Sequence, residues 1–339
     1  MAPTIKQIAE EAGVSHQTVS CILGRKAHLF SASTRQRVMA AAQKLGYRPN
    51  ASARAMRNGH FNAIAVLLSS EGGGRSTLFT GFFDGAEPAA HQAGLHLIVT
   101  ALSDRQLTDK AFVPKLLREA IADGLLINYY CKIPAAMEAL IARHRIPCIW
   151  TNAKRTADCV YPDDFEAARR VTRMLIQRGH RRIGYASATF SFPLDRELDH
   201  YSAFDRHAGY RAAMEAAGLP VRELLTPRPF KGAELVAALR DWLAAPDRPS
   251  AVVTYCDLEI YAILEAVRTL ALRVPEDLAL ATFCEIPLHD GITPMTTMLI
   301  PSRDLGRLAV EMLLQKIADP ARVLPPRPVE FGVYEAEGE

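Results

Sequence analysis

A short stretch near the start of the chain decides how its first part folds: Gly13-Val14-Ser15-His16-Gln17-Thr18-Val19-Ser20-Cys21-Ile22-Leu23. Ser15 suits a helix N-cap, because its side-chain oxygen can accept a hydrogen bond from an unpaired amide of the first turn. Val19, Ile22 and Leu23 recur at helical spacing and can face a small core beside Val14. The pattern therefore predicts a short helix whose outward face consists of His16, Gln17, Thr18, Ser20 and Cys21.

Helices on either side complete a helix-turn-helix pattern. Thr4 can cap an earlier helix, and Gly13 permits the tight turn between the two helices. A third helix follows, with Ser31 or Ser33 as its cap. Polar side chains near the start of the second helix suit base edges in a DNA major groove. We therefore predict a three-helix domain over residues 1–46 that binds double-stranded DNA.

The distribution of charge agrees with a polyanionic partner for this domain. Residues 1–60 carry nine Lys and Arg against only Glu10 and Glu11, a net charge of +7, so the overall charge of +3 leaves −4 for the remaining residues. A basic head on a mildly acidic body is typical of a nucleic-acid-binding domain joined to a domain that does not bind nucleic acid. A solvated basic surface without a partner is the alternative.

Length and composition exclude several other classes of protein. A chain of 339 residues, 49% of them hydrophobic, is too long for one ordinary core, so two or three folded domains are expected. The six cysteines are scattered without a C-x-x-C pair, which predicts reduced thiols, no metal site and no cofactor. The sequence shows no secretory signal and no long apolar run, so a cytoplasmic protein without membrane association is expected.

Several motifs resemble the lactose-repressor (LacI/GalR) family of bacterial transcription regulators. They are Thr4-Ile5-Lys6-Gln7-Ile8-Ala9, Gly13-Val14-Ser15, Thr18-Val19-Ser20 and Leu45-Gly46-Tyr47-Arg48-Pro49-Asn50. The resemblance is densest over residues 4–57. It implies that His16, Gln17 and Ser20 lie in the major groove and that Thr18 lies near the DNA backbone. It further implies DNA contacts that fix the register of the domain, made by Thr4, Ser15, Tyr47 and Asn50.

Residues 47–60 form the predicted connection to the rest of the chain. Pro49 and Gly59 bracket good helix formers, but the stretch is too short to be a stable helix alone in water. A plain linker is the alternative. The resemblance implies a hinge helix that folds only on DNA, with Ala53 and Met56 in the minor groove. Met56 would act as an apolar wedge that unstacks the central base step of a pseudo-palindromic operator.

One position of the recognition helix departs from the family pattern. Cys21 stands where the family commonly carries Arg. A thiol cannot make the charged or bidentate contacts of a guanidinium, so we expect an altered half-site at this position.

From residue 61 to residue 339, short apolar runs alternate with amphipathic helical patterns. This alternation predicts parallel, doubly wound sheets with helices on both faces, in two lobes. The runs Ile176–Gly184, Arg206–Tyr210 and Leu272–Asp277 resemble the effector domain of the same family, which is similar to periplasmic binding proteins. The predicted N-lobe comprises residues 61–161 and 292–320, and the predicted C-lobe comprises residues 162–291 and 321–339.

An effector is expected in the cleft between the lobes, since ligands of doubly wound sheets bind beyond the carboxyl ends of the strands. The resemblance assigns effector contacts to Phe79, Arg206, Phe230, Asp257 and Glu285. Arg206 suits a carboxylate or a vicinal diol, with a surface ion pair as the alternative. Phe79 is either a stacking partner or a core residue. Cys256 replaces the usual Asn, and the segment that ends in Glu285 lacks the usual first carboxylate. The effector is therefore expected to differ from the best-known sugars and purines of the family.

We find no catalytic grouping in the sequence. Asp163 and Asp164 precede a helix, where acids favour the helix dipole, and capping explains them better than catalysis. No leucine heptad follows the last strand, so a homodimer is expected rather than a tetramer. The sequence thus predicts a dimeric, effector-controlled repressor, with a carbohydrate or a derivative as the effector. The alternatives are a small-molecule-binding protein that has lost specific DNA binding, for which Cys21 is the argument, and an enzyme.

Overall fold

A computed structural model gives the fold of the chain. It describes residues 3–24, 26–47, 60–69, 80–102, 121–128, 133, 135–197, 199–288 and 293–335. The chain divides into two compact units, Met1–Phe61 and Asn62–Glu339. No helix among these residues is long and apolar enough to cross a membrane.

The first unit is the predicted three-helix domain, with α1 at Ile5–Ala12, α2 at His16–Ile22 and α3 at Ala32–Lys44. A 3-10 turn at Ala27–Leu29, which the sequence pattern did not predict, joins α2 to α3. The helices enclose a small core in which the fully or almost fully buried residues are Ile8, Ala9, Ala12, Val19, Ile22, Val38, Ala41 and Ala42.

Side-chain caps determine where these helices begin. Thr4 and Gln7 form a reciprocal capping box at the start of α1, and Ser15 accepts a hydrogen bond from the Thr18 amide at 3.1 Å at the start of α2. Ser31, rather than Ser33, caps α3. Gly13 has φ +62° between α1 and α2, a left-handed conformation that glycine adopts without steric cost.

Within its described residues, the second unit forms two six-stranded sheets, as the strand-helix alternation predicts. The order in the first sheet is β11-β5-β4-β3-β1-β2, and the order in the second is β12-β10-β9-β8-β6-β7. All neighbouring strands are parallel except β10 and β12. The strands are β1 Ala63–Ser69, β2 His96–Leu102, β3 Gly124–Asn128, β4 Cys148–Thr151, β5 Cys159–Pro162, β6 Ile183–Ser187, β7 Arg222–Leu225, β8 Ala251–Thr254, β9 Ala279–Cys284, β10 Thr296–Leu299, β11 Arg327–Val329 and β12 Gly332–Tyr334.

Helices cover the two sheets, each of which has apolar core clusters on its faces. Those described are α4 Thr80–Gln92, α5 Ala135–His144, α6 Asp164–Gln177, α7 Tyr201–Ala216, α8 Ala233–Ala244, α9 Asp257–Thr269 and α10 Ser302–Ala318. The sequence pattern also predicts a helix near residues 106–121, which lies almost entirely outside the described residues.

The division of the chain between the lobes differs from the predicted one. Residues 292–320 were assigned to the N-lobe, but β10 pairs with β9 in the second sheet before α10 packs on the first. Residues 321–339 were assigned to the C-lobe, but β11 pairs with β5 in the first sheet. The chain therefore crosses between the lobes three times, as many as predicted, but the last two crossings lie later in the chain. They were misplaced because short β10 and β11 carry too few residues for a periodicity signal.

The stretch over residues 329–334, whose sequence pattern predicts one last strand, contributes to two strands in different sheets, β11 and β12. Helix α7 begins at Tyr201, five residues before Arg206, where the helical pattern of the sequence begins. The side chain of His200 accepts from the Ser202 amide and caps the additional turn. This extension brings the first turn of α7 to the cleft.

Glycines allow two helices of the first lobe to pack closely. A Cβ atom at Gly85 of α4 would lie 1.8 Å from the carbonyl oxygen of Arg303, and one at Gly306 of α10 would lie 1.9 Å from that of Phe82. Gly209 of α7 has the same function against α6, since a Cβ there would lie 2.2 Å from the Phe165 carbonyl oxygen. Each lobe thus contains a helix pair held at backbone contact distance.

Candidate functional site

The outward face of α2 is the first candidate site. His16 and Gln17 in the first turn are exposed, and Thr18, Ser20 and Cys21 are half-buried. Val19 and Ile22, on the opposite side of the helix, are buried in the core of the unit. The structure therefore presents the predicted set on one short helix, with its two exposed side chains at the amino end.

Polar groups that suit a phosphate backbone surround this helix. Ser15 and Thr18 share a hydroxyl contact of 2.9 Å, and Thr4 is exposed at the start of α1. Tyr47 is half-buried, and its amide donates to the Ala42 carbonyl at 2.9 Å. Asn50, Ala53 and Met56 lie outside the described residues, so their assignment to the hinge remains a prediction.

The second candidate site lies at the carboxyl ends of the second sheet, where Arg206 is held by its own chain. Its Nε donates to Asp164 at 2.6 Å and its Nη1 donates to the Tyr255 carbonyl at 2.6 Å. Its guanidinium lies over the rings of Tyr255 and Phe283, at 4.8 Å and 4.3 Å from their centroids. Only 6% of the residue is exposed, so the pair is a buried ion pair rather than the surface ion pair considered from sequence.

Arg206 keeps its charge in this arrangement, whereas burial raises the pKa of Asp164 and the guanidinium opposes that rise. Burial lowers the pKa of Arg206, but Asp164 more than offsets that effect, and the pKa lies above its ordinary value. Asp163, next in the chain, accepts from the Glu166 amide and caps α6, as predicted. The two adjacent acids thus differ in their contacts: Asp163 caps a helix, and Asp164 binds Arg206.

A chain of hydrogen bonds connects this site with the first lobe. The Tyr255 hydroxyl lies 2.8 Å from the Ser202 hydroxyl, which lies 2.7 Å from Nδ1 of His200. Nε2 of His200 lies 3.0 Å from the Asn152 carbonyl, just after β4. Burial lowers the pKa of His200 to about 4, so the ring is neutral near pH 7. Because a carbonyl only accepts, Nε2 carries the proton, and Nδ1 accepts from Ser202.

Glu259 holds together the segments that follow β6 and β8. Only 1% of the residue is exposed, and its carboxylate accepts from the Ala188 amide at 3.0 Å and the Thr189 hydroxyl at 2.9 Å. The amide and the thiol of Cys256 also donate to it, each at 3.1 Å. Burial and the neighbouring Glu259 raise the pKa of Cys256, so it remains a thiol that donates. The amide and the thiol of Cys256 therefore both have a hydrogen-bond partner within the chain.

The remaining predicted effector residues are distributed around these groups. Phe230 is half-buried, and its amide donates to the Ala188 carbonyl at 3.1 Å. Asp257 is half-buried at the first position of α9. Glu285 accepts from the Gly81 amide of α4 at 2.7 Å, across the two lobes. Phe79 lies outside the described residues. Among those that are described, no cluster of His, Cys, Asp and Glu could hold a metal ion.

Comparison with known proteins assigns the chain to a family. A model for bacterial regulatory proteins of the lacI family matches residues 4–50, and one for a periplasmic binding protein-like domain matches residues 172–332. The HTH-type transcriptional repressor PurR of Escherichia coli O139:H28 (strain E24377A / ETEC) is 31% identical over 323 residues, which cover 93% of this chain and 91% of PurR. The chain belongs to the LacI family. It is a DNA-binding transcriptional repressor with a ligand-binding effector domain, which confirms the prediction of a regulator rather than an enzyme.

Solved structures with the LacI-family fold agree with this architecture. The lac repressor dimer bound to operator and the anti-inducer ONPF has a TM-score of 0.79 at 22% identity, with 99% of each chain covered. A complex of the transcriptional regulator CelR with cellobiose has a TM-score of 0.62 at 24% identity, covering 99% of this chain and 100% of that one. The predicted fold class, a helix-turn-helix head with a two-lobed domain, is confirmed.

The LacI-family resemblance did not identify several groups at the cleft. Asp164, Tyr255, His200 and Glu259 hold the site together, yet sequence reasoning assigned no effector role to any of them. The contacts join residues that are distant in the chain, and no local pattern encodes such a pairing. A signal existed for two further residues, because the buried strand β6 carries hydroxyls at Tyr185 and Ser187.

Proposed function

We propose that this LacI-family repressor binds a pseudo-palindromic operator as a homodimer and that a carbohydrate or a derivative in the interlobe cleft controls its affinity for the operator. The observation that carries the proposal is the network around Arg206, which joins the carboxyl ends of the second sheet to Asn152 of the first lobe. A small molecule that contacts this network differently in two lobe arrangements would shift their populations. Operator and effector would then change each other's affinity by the same factor.

On the DNA side, we propose that His16, Gln17, Ser20 and Cys21 face base edges. Contacts with the DNA backbone are proposed for Thr4, Ser15, Thr18, Tyr47 and Asn50, and minor-groove contacts for Ala53 and Met56. The exposed amino end of α2 and the basic head support this assignment. Each phosphate contact contributes about −0.9 to the slope of log affinity against log salt concentration, so operator binding is expected to weaken steeply with salt.

An exposed apolar patch supports the homodimer. Leu258 and Tyr261 lie one turn apart on α9 and are 60% and 58% exposed, and Ile286, after the neighbouring strand β9, is 64% exposed. Large apolar side chains concentrated on one surface favour burial against a partner. We assign this patch, Leu258, Tyr261 and Ile286, to a second copy of the chain, in keeping with the dimeric lac repressor that shares the fold.

On the effector side, we propose that Arg206, Phe230, Asp257 and Glu285, together with Phe79, line or support the cleft. Arg206 already binds Asp164 and the Tyr255 carbonyl, so its contribution is to position Tyr255 and to offer its remaining nitrogen. The protein would act in the cytoplasm, associated with the nucleoid when bound to DNA. A structure of this fold that holds cellobiose supports a sugar-like ligand.

Footprinting on the DNA around the gene of this protein tests the proposal. We expect a protected pseudo-palindrome whose protection changes when the effector is added. A thermal-shift screen of sugars identifies that effector, because a ligand at 100 times its Kd stabilises the protein by about 2.7 kcal/mol. If no segment is protected above nonspecific DNA, the chain would instead be a small-molecule-binding protein that has lost specific DNA binding.

A further inference from the structure

Two buried hydroxyl groups on β6 are without a hydrogen-bond partner. The hydroxyl of Tyr185 and the Oγ of Ser187 find no donor or acceptor in the part of the chain that the structure describes, and the residues are 0% and 1% exposed. A buried polar group left unpaired costs free energy, and native proteins rarely tolerate one without a functional reason. Two such groups on one strand therefore point to a partner that is not part of the chain.

Both hydroxyls lie on the face of β6 that α7 covers. Residues two apart in a strand point to the same side, so Tyr185 and Ser187 share a face. The Tyr185 ring stacks on Tyr210 and lies 5.5 Å from the ring of His207, both from α7. Ser187 is the last residue of β6, and the Tyr255 amide beside it donates to the Ala186 carbonyl. The two hydroxyls therefore approach the carboxyl end of the sheet, where the cleft begins.

The electrostatic surroundings of Tyr185 place its hydroxyl at the same end. Burial raises its pKa well above the ordinary value; Arg206 opposes the rise, and Tyr255, Glu259 and Cys256 add to it. Tyr255, Cys256 and Glu259 all follow β8, at its carboxyl end. The hydroxyl of Tyr185 thus keeps its proton and is near the groups that surround Arg206.

The charges at this end of the sheet do not favour an anionic ligand. Asp164 already neutralises Arg206, and Glu259, Asp257 and Glu285 add negative charge nearby. Lys154 is paired with Asp205 at 2.6 Å. A phosphate or carboxylate would have to break a buried ion pair to reach a free guanidinium, whereas an uncharged hydroxyl needs only groups that both donate and accept.

We infer that Tyr185 and Ser187 form hydrogen bonds with hydroxyl groups of an uncharged polyhydroxylated effector. The cleft would then discriminate against phosphorylated and carboxylated forms of that compound. The inference rests on the proposed function, since it assigns specificity to the same cleft. Each hydroxyl can donate one hydrogen bond and accept another, which matches the donor and acceptor pair that a sugar hydroxyl presents. The pair would therefore select for sugar hydroxyls at two positions.

Two variants distinguish ligand binding by Tyr185 and Ser187 from a purely structural role of these residues. In Tyr185→Phe and Ser187→Ala, we expect the protein without ligand to be as stable as the wild type or more stable, since an unpaired buried hydroxyl is removed. Affinity for the effector should fall about five- to tenfold in each, the size of one neutral hydrogen bond. The matched control is Tyr210→Phe, whose hydroxyl already has partners within the lobe: it accepts from the Arg222 amide and donates to either the Ile183 or the Arg222 carbonyl. It should lose stability and keep the wild-type affinity.

The ligands for this test are glucose, galactose, ribose and cellobiose, compared with glucose 6-phosphate, ribose 5-phosphate, glucuronate and hypoxanthine. We expect a neutral sugar to raise the melting temperature and to bind at least about tenfold more tightly than its charged counterpart, measured by calorimetry. Binding of only a charged form or of hypoxanthine, no response to any neutral sugar, or unchanged affinity in both variants would overturn the inference. Operator binding without ligand is measured separately, so a failure of the proposed DNA-binding function can be distinguished from a failure of the inferred effector specificity.

Discussion

The carboxylate of Glu285 accepts a hydrogen bond from the backbone amide of Gly81 at 2.7 Å, and this bond joins the two lobes of the second unit. Gly81 lies in the first turn of α4, where amides have no partner within the helix. Glu285 follows β9 of the other sheet and brings a negative charge to the positive end of the helix dipole. A side chain of one lobe thus caps a helix of the other.

The first prediction follows from this bond. Glu285→Ala should lower the free energy of unfolding by about 1 kcal/mol, the usual cost of losing a helix cap. Glu285→Gln should lose less, because its amide oxygen still accepts from Gly81. Urea denaturation of the three proteins measures the difference. The control is Glu330→Ala, which removes an exposed acid elsewhere; an equal loss in that variant would show that the cap contributes nothing specific.

Local patterns predicted the elements that carry their own signals, and pairings over long distances could not be predicted. The sequence predicted the caps Thr4 and Ser15, narrowed the third cap to Ser31 or Ser33, and indicated the buried strand β1, because helix caps and apolar runs are local features of a sequence. The placement of β10 and β11 depends on which sheet has a free edge, which no local stretch encodes. The ion pair of Arg206 with Asp164 could not be predicted for the same reason, although the sequence singles out each of the two residues.

Protonation of His200 supplies the second prediction. Its pKa of about 4 in the folded protein is below the ordinary histidine value of 6.5, so its contribution to stability is fully present above pH 6.5 and is lost as the pH falls towards 4. The loss should be at most about 3 kcal/mol, because each unit of pKa difference between the folded and unfolded protein corresponds to about 1.4 kcal/mol. His200→Gln should remove this pH-dependent contribution to the free energy of unfolding. The measurement is the free energy of unfolding against pH, compared between the two proteins; parallel curves from pH 7 to pH 4 would contradict the buried neutral ring.

The third prediction concerns the apolar patch. Tyr261→Glu should convert the dimer to a monomer, because a charge in the interface would have to be desolvated without a partner. Sedimentation velocity at micromolar concentration measures the change. Val323→Glu is a matched control, since Val323 is 71% exposed and precedes β11 of the first lobe. A Tyr261→Glu protein that sediments like the wild type would locate the dimer contact on another surface.

The last prediction tests the recognition helix at the position where it departs from its family. Cys21 is half-buried near the end of α2, and its thiol cannot make a charged contact with DNA. Cys21→Arg should therefore tighten operator binding by about 1–3 kcal/mol if the new guanidinium reaches a guanine. If it reaches a phosphate, the salt slope should steepen by about 0.9. Cys21→Ala, which adds no charge, should leave the affinity nearly unchanged. Fluorescence anisotropy at several salt concentrations distinguishes these outcomes, and a weaker complex with Arg would show that the operator of this repressor requires the small thiol side chain.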